Sequence, residues 1–148
     1  MAITKWDIRF MKLAFETASW SKDLRTKVGS VIVRDKNPIS MGFNGLPVNC
    51  NDEIKERFEP PQKYLWTIHS EANSLVQAAK HGHKTEGCTM YVTLFPCANC
   101  AGLIVNAGIK KIFCENKPDF SNERWGENWK VSLTILTEGN VEIEYLNQ

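Results

Sequence analysis

Apolar and polar positions along the chain follow two different periods, and the changes of period mark the predicted elements. Residues 5–20 place apolar side chains at helical spacing between charged residues, which predicts an amphipathic helix. The β-branched run 27–35 and the weaker run 38–45 predict two strands joined by a turn at 35–37. The other predicted elements are strands at 88–95, 109–115 and 140–146 and helices at 70–80, 97–108 and 121–138. This order predicts an α/β fold with a mixed five-stranded sheet and helices on both faces.

Residues 46–66 interrupt this regular order. The segment contains Pro47, Pro60 and Pro61 and shows neither the helical nor the strand period. Loops of this length in compact domains are often functional. The chain has no internal repeat and no linker that would separate two domains, so we expect residues 1–148 to form a single domain.

Composition and charge exclude several classes of protein. With 18 Lys and Arg against 17 Asp and Glu, the net charge of +1 gives no excess for binding nucleic acid or a membrane surface. The N-terminal segment has the pattern of an amphipathic helix and not that of a signal peptide. No window approaches the ~20 apolar residues of a membrane span. Five scattered cysteines, an odd number, fit a reducing compartment, and we expect a cytoplasmic protein.

Cys97 and Cys100 lie three residues apart at the start of a predicted helix, directly after Pro96. An i, i+3 pair shares one face of a helix, so both sulfurs can bind one metal ion. The helix dipole also lowers thiol pKa values toward the thiolate that metals require. Two other interpretations remain open at this point, a redox couple and a closed structural zinc site that would need Cys88 or Cys114 as a fourth ligand.

His69 and Glu71 lie at the start of another predicted helix, in the sequence IHSEA. One histidine and two cysteines leave a fourth position open, which is typical of a catalytic zinc that activates water. Glu71 would then move protons between that water and a substrate nitrogen. His81 and His83 are interpreted as residues of a solvated loop rather than as metal ligands.

These residues resemble a known family. His69 and Glu71, followed by PCANC with its first cysteine 28 residues after the histidine, match the H-x-E…P-C-x-x-C signature of zinc-dependent nucleobase deaminases. The segments SKDLRTKVGSVIV, GFNGLP, HSEANS, GCTMYVTLFPCANCAGLIVNAGIKKI and ERWGENW are similar to the deoxycytidylate (dCMP) deaminase branch. The resemblance covers residues 5–145.

The resemblance implies a cytidine-deaminase-like three-layer α-β-α fold and hydrolysis of dCMP to dUMP and ammonia, which supplies thymidylate synthesis. It implies that His69, Cys97 and Cys100 bind Zn²⁺ and that Glu71 is the proton shuttle. Asn44 in GFNG matches an asparagine that hydrogen-bonds the sugar, although Phe43 replaces the usual tyrosine beside it. Lys80 occupies the place of a basic residue that binds the 5′-phosphate in some viral relatives.

The resemblance also implies homo-oligomers, dimers or hexamers, and possible dCTP or dTTP effectors. We expect a small-molecule nucleotide substrate and neither a nucleic-acid nor a membrane partner. The alternatives are a deaminase of another cytosine or purine nucleoside or base, a tRNA adenosine deaminase, and a non-catalytic zinc module. Trp125 and Trp129 are interpreted as a packed helix stripe rather than as a platform for a nucleobase.

Overall fold

The computed structural model describes residues 2–147, which form helices and strands in the predicted order. In chain order the elements are α1 (Lys5–Ala18), β1 (Gly29–Arg34), β2 (Asn37–Phe43), a 3-10 turn (Lys55–Phe58), α2 (Lys63–Trp66), α3 (Ser70–Lys80), β3 (Thr89–Val92), α4 (Ala98–Asn106), β4 (Lys111–Cys114), α5 (Gly126–Glu138) and β5 (Glu142–Tyr145). Among these residues, no helix combines the length and the apolar character needed to cross a bilayer.

The five strands form one mixed sheet in the order β2-β1-β3-β4-β5, which confirms the predicted α/β fold. Strand β1 is antiparallel to both β2 and β3, whereas β3, β4 and β5 are parallel to one another. The predicted turn between β1 and β2 is present, with positive φ at Asp35 and Lys36 as a two-residue hairpin turn requires. Because β3 and β4 are parallel, their carboxyl ends meet at the same edge of the sheet, where α4 and the chain after β4 begin.

Alternate residues of the central strands face opposite layers of helices. Val31 and Tyr91 pack in one cluster with Phe10 of α1. Ile32 and Met90 point to the other face, in a cluster that also takes side chains from α4 and α5. The sheet is therefore the middle layer of a three-layer α-β-α arrangement, as expected.

The predicted start of the last helix is wrong, because side chains cap short turns there. Helix α5 begins at Gly126 and not near Ser121. The carboxylate of Asp119 accepts the backbone N–H of Ser121, and the side-chain oxygen of Asn122 accepts the N–H groups of Arg124 and Trp125. These side-chain acceptors favour turns over a helix, so the first turn of the predicted helix is replaced by capped turns.

The predicted irregular segment 46–66 contains the 3-10 turn and the short helix α2. It is attached to the rest of the domain by an ion pair in which Lys63 Nζ lies 3.2 Å from the buried carboxylate of Asp23. A β-bridge between Gly45 and Ile68 closes its two ends. The segment therefore folds back across the edge of the sheet at which α3 begins.

Candidate active site

The amino-terminal ends of α3 and α4 meet at one edge of the sheet and bring three metal-ligating side chains together. His69 is the N-cap residue of α3, and Cys97 is the N-cap residue of α4, with Cys100 in the first turn of α4. His69 Nδ1 lies 3.4 Å from Cys97 Sγ and 3.5 Å from Cys100 Sγ. Helix α5 supports this arrangement, because Asn128 Oδ1 accepts the N–H of Ala98 at 2.9 Å.

The three donors fit a zinc ion. Tetrahedral Zn²⁺ with bonds of about 2.3 Å to sulfur and about 2.0 Å to nitrogen separates these two donor atoms by about 3.5 Å. The separations observed in this cluster are 3.4 and 3.5 Å. Cys97 and Cys100 are buried, whereas His69 is exposed on the side of a cavity. The cluster is therefore accessible from one direction.

Neither Cys88 nor Cys114 belongs to this group. Within residues 2–147, His69, Cys97 and Cys100 alone form a cluster of three or more ligating groups. Cys88 Sγ instead contacts the carbonyl oxygen of Lys84 at 3.6 Å, and Cys114 is fully buried. This geometry excludes the interpretation of a closed structural zinc site with Cys88 or Cys114 as a fourth ligand. It favours a site whose fourth position is open.

The pKa values of the two thiols are shifted in opposite directions. The hydrogen bond from the Cys100 thiol, together with His69, lowers the pKa of Cys97 to about 4. The proton shared in this way, together with burial, raises the pKa of Cys100. The pKa of His69 is also raised, first by its contact with Cys97. The lowered pKa of Cys97 favours the thiolate form that a metal ligand requires.

Glu71 lies in the first turn of α3, next to this cluster. Its side chain is 4% exposed, and Ser70 Oγ donates a hydrogen bond to Oε1 at 2.6 Å. Burial raises the pKa of Glu71 above its ordinary value, although the hydrogen bond from Ser70 opposes the shift. A carboxylate whose pKa has moved toward neutrality can take up and release a proton during one reaction cycle.

A cavity of ≈ 520 Å³ opens above these groups, within the size range of small-molecule sites. Its floor is formed by His69, Glu71 and Cys97, and Phe95 and Trp129 provide apolar wall. The mouth carries three cations, Arg25, Lys63 and Arg124. The cavity therefore combines a reactive floor, an apolar wall and a basic rim, which suits a planar base joined to an anionic group.

The charge of one cation at this rim is already neutralised. Lys63 pairs with Asp23, whose side chain also accepts the N–H groups of Arg25 and Thr26 at 2.9 and 3.0 Å. Burial acts to raise the pKa of Asp23, but these N–H groups and Lys63 outweigh it and hold that pKa below its usual value. The rim charge available to a ligand is therefore that of the two arginines.

Neither arginine takes part in an ion pair described over residues 2–147. Arg124 is held over the mouth by aromatic rings, because it donates a hydrogen bond to the hydroxyl of Tyr64 and lies 5.6 Å from the ring centre of Trp125. A guanidinium without a carboxylate partner, fixed beside an apolar cavity, is suited to bind phosphate.

The structure brings Asn44 but not Lys80 to the other predicted residues. Asn44 lines the cavity and is 7% exposed. Its side-chain amide donates to the carbonyl oxygen of Thr26 and accepts the N–H of Val28, both at 2.9 Å. Lys80 is exposed at the far end of α3, which places it about 15 Å along the helix from Ser70. Lys80 is not among the residues that line this cavity.

The cationic rim was missed by the sequence reasoning. Arg25, Lys63 and Arg124 come from three distant segments, and no spacing in the sequence connects them. Trp125 and Trp129 do stack on each other, with ring centres 6.0 Å apart, as the stripe interpretation predicted. Both also line the cavity, which that interpretation did not include. The signal that could have found Arg124 is its place in ERWGENW, a segment of the family resemblance.

Comparison with known proteins agrees with this geometry. Residues 4–116 match the family described as the cytidine and deoxycytidylate deaminase zinc-binding region. A protein from Aliivibrio fischeri named an uncharacterised deaminase in the luxG 3′ region is 40% identical over 144 residues, covering 97% of this chain and 95% of its own length. Human deoxycytidylate deaminase is 39% identical over 126 residues, covering 80% and 70%. The dCMP deaminase of cyanophage S-TIM5, in complex with dCMP and dUMP, superposes with a TM-score of 0.80 at 26% identity, covering 98% and 99%.

Proposed function

This chain belongs to the cytidine and deoxycytidylate deaminase family, and from that premise we propose that it hydrolyses dCMP to dUMP and ammonia. The observation that carries the proposal is the position of Glu71, buried beside a cluster of three zinc-ligating side chains at the floor of a cavity with a basic rim. We also propose that residues 1–148 act as one deaminase domain.

We infer that His69, Cys97 and Cys100 hold the zinc ion through Nδ1 and the two sulfur atoms. When bound, Zn²⁺ acts as a Lewis acid that makes water nucleophilic near neutral pH. Glu71 takes the proton of the attacking water as the new C–O bond forms at C4 of the cytosine ring. It then delivers that proton to N3. The second proton of that water, now on the C4 hydroxyl, passes through Glu71 to the 4-amino group; the C4–N4 bond breaks, ammonia leaves and the C4 carbonyl of dUMP forms.

The walls of the cavity would hold the rest of the nucleotide. We infer that Phe95 and Trp129 offer apolar surface to the base and that Asn44, which lines the same cavity, contacts the sugar. Each polar atom of the Asn44 amide makes one hydrogen bond to the backbone, and its oxygen and its NH₂ group can each make one more. Asn44 is therefore fixed in orientation and still able to contact a sugar hydroxyl.

We infer that Arg25 and Arg124 bind the 5′-phosphate and make the enzyme selective for a monophosphate. The support is their unneutralised charge at the rim, together with the aromatic contacts that restrain Arg124. Lys80, which the sequence reasoning had selected for this role, lies outside the rim. It offers a matched cation that can be changed without touching the cavity.

The decisive experiment measures ammonia release from dCMP and from deoxycytidine. The wild type should prefer dCMP, and Arg25→Ala and Arg124→Ala should each lower kcat/KM for dCMP by about 10- to 100-fold, the value of one charge-assisted hydrogen bond. Neither change should alter the rate with deoxycytidine, and Lys80→Ala should behave as the wild type. Equal wild-type rates on the nucleoside and the monophosphate would remove the phosphate assignment.

We further propose, on family membership alone, a cytoplasmic homo-oligomer, a dimer or a hexamer, that dCTP or dTTP regulates. Light scattering coupled to size-exclusion chromatography gives the number of chains in the particle. Ammonia release from dCMP with and without each triphosphate tests regulation. A monomer whose rate neither triphosphate changes would contradict both parts of this proposal.

A further inference from the structure

A buried hydroxyl group contacts the carboxylate that the proposed reaction uses. Ser70, the residue between His69 and Glu71, is 0% exposed, and its Oγ donates to Glu71 Oε1 at 2.6 Å. Ser70 is the one side chain among residues 2–147 that hydrogen-bonds this carboxylate. We propose that Ser70 is a positioning residue that orients the Glu71 carboxylate for proton transfer; this inference rests on the proposed function.

The contact assigns different roles to the two carboxylate oxygens. A glutamate side chain has three rotatable bonds, and only some of its rotamers present an oxygen to a reacting water. The hydrogen bond from Ser70 anchors Oε1 and leaves Oε2 as the oxygen that carries the proton. Orientation of this kind matters for rate, because a misplacement of about 1 Å can cost about 100-fold.

Helical spacing alone does not explain this contact. Side chains of adjacent residues on a helix normally point in different directions, so the Ser70 and Glu71 side chains would usually diverge. Here both are buried and lie within hydrogen-bond distance. The Glu71 side chain is thus held toward the amino-terminal end of α3, which is the end that carries His69.

The hydroxyl of Ser70 is not needed to hold the helix in place. The first turn of α3 is anchored by other groups: Ser30 Oγ donates to the carbonyl oxygen of Ser70 at 2.8 Å, and Ser74 Oγ donates to the carbonyl oxygen of Glu71 at 2.9 Å. Ser74 is also fully buried. It is therefore a matched control, a buried hydroxyl on the same helix that does not touch the carboxylate.

The experiment compares Ser70→Ala and Ser74→Ala, each in the wild type and in the Glu71→Gln background. Ser70→Ala should lower kcat for dCMP by about 10- to 100-fold while KM stays within about twofold and zinc content is unchanged. Ser74→Ala, which removes a backbone contact of the same turn but no contact with the carboxylate, should lower kcat less than Ser70→Ala does. In Glu71→Gln, which has no carboxylate to orient, Ser70→Ala should change the residual rate by less than about twofold.

A second readout does not depend on turnover. In a crystal structure of the Ser70→Ala protein, the Glu71 side chain should occupy a different rotamer or more than one. Equal losses of kcat in the two alanine variants, or wild-type kcat with an unchanged Glu71 rotamer, would overturn the role of Ser70. Both results would leave the proposed function intact if the wild type releases ammonia and Glu71→Gln does not. If the wild type releases none, the proposed function fails, and the rotamer in the crystal still decides whether Ser70 orients Glu71.

Discussion

A single methyl group added to Gly42 should disable the site without touching it. Gly42 lies on β2, and α3 packs directly against it. A Cβ atom at this position would lie 2.5 Å from both the carbonyl oxygen of Ser70 and the backbone nitrogen of Ser74. Ordinary van der Waals contact begins at 3.4 Å, so Gly42→Ala requires the start of α3 to retreat by about 0.9 Å, the difference between the two distances.

That displacement moves the turn that carries His69 and Glu71. Overpacking of this kind costs about 1–3 kcal/mol of stability. The shift of a catalytic group by about 1 Å should lower kcat by about 100-fold. KM for dCMP should change less, because the rim residues Arg25 and Arg124 do not lie on β2 or α3.

The assay combines thermal unfolding, zinc content and ammonia release from dCMP. Gly102→Ala is the matched control, because Gly102 lies on α4 and an added Cβ there meets no atom within 4 Å. This control should keep wild-type activity and gain up to about 1 kcal/mol of stability from the higher helix propensity of alanine. A Gly42→Ala protein with wild-type melting temperature and kcat would show that the contact between β2 and α3 does not set the position of the site.

Three further predictions concern stability and the metal. Because the folded pKa of Asp23 is below its usual 3.8, the stabilisation by this carboxylate is present above that value and is lost as pH falls through the folded pKa. Asp23→Asn, which removes the ion pair with Lys63, should lower the free energy of unfolding by about 1–3 kcal/mol near pH 7 in denaturant titrations. A difference that does not narrow as the pH falls below 3.8 would contradict this. Tyr91→Phe removes the 2.7 Å hydrogen bond to the buried Asp7 on the other face of the sheet. It should lower the free energy of unfolding by about 1–3 kcal/mol and leave kcat unchanged. A large loss of kcat would contradict the expectation that this contact lies too far from the site to affect it. A strong chelator should abolish ammonia release and lower the melting temperature, because a ligand present at about 1,000 times its Kd stabilises the fold by about 4 kcal/mol. Added Zn²⁺ should restore both the activity and the melting temperature. Activity that survives complete metal removal would exclude the zinc centre.

Local patterns were enough to predict the elements of the sheet and the metal cluster. The central strands are short runs rich in β-branched or aromatic residues, and His69, Cys97 and Cys100 each lie at a helix start that the sequence marks. The start of α5 was placed too early, because the turns capped by Asp119 and Asn122 resemble the beginning of a helix. The first residue of a helix can therefore be predicted from local sequence only where no nearby side chain offers the backbone N–H groups an alternative acceptor.

The rim of the cavity could not be predicted in the same way. Arg25, Lys63 and Arg124 come together only when the chain folds, and their availability depends on which of them meets a carboxylate. Asp23 neutralises Lys63, and nothing in the sequence relates these two positions, 40 residues apart. The resemblance assigns Lys80 to the place of a phosphate-binding residue in some viral relatives, yet Lys80 lies at the far end of α3 and does not line the cavity.

The measurement that tests the central claim most directly is a comparison of the wild type with Glu71→Gln for zinc content and for ammonia release from dCMP. We predict about one zinc per chain in both proteins and a kcat lower by about 100- to 10,000-fold in the variant, because only the proton transfer has been removed. A wild-type protein that binds no zinc, or a variant that deaminates dCMP at the wild-type rate, would contradict the claim.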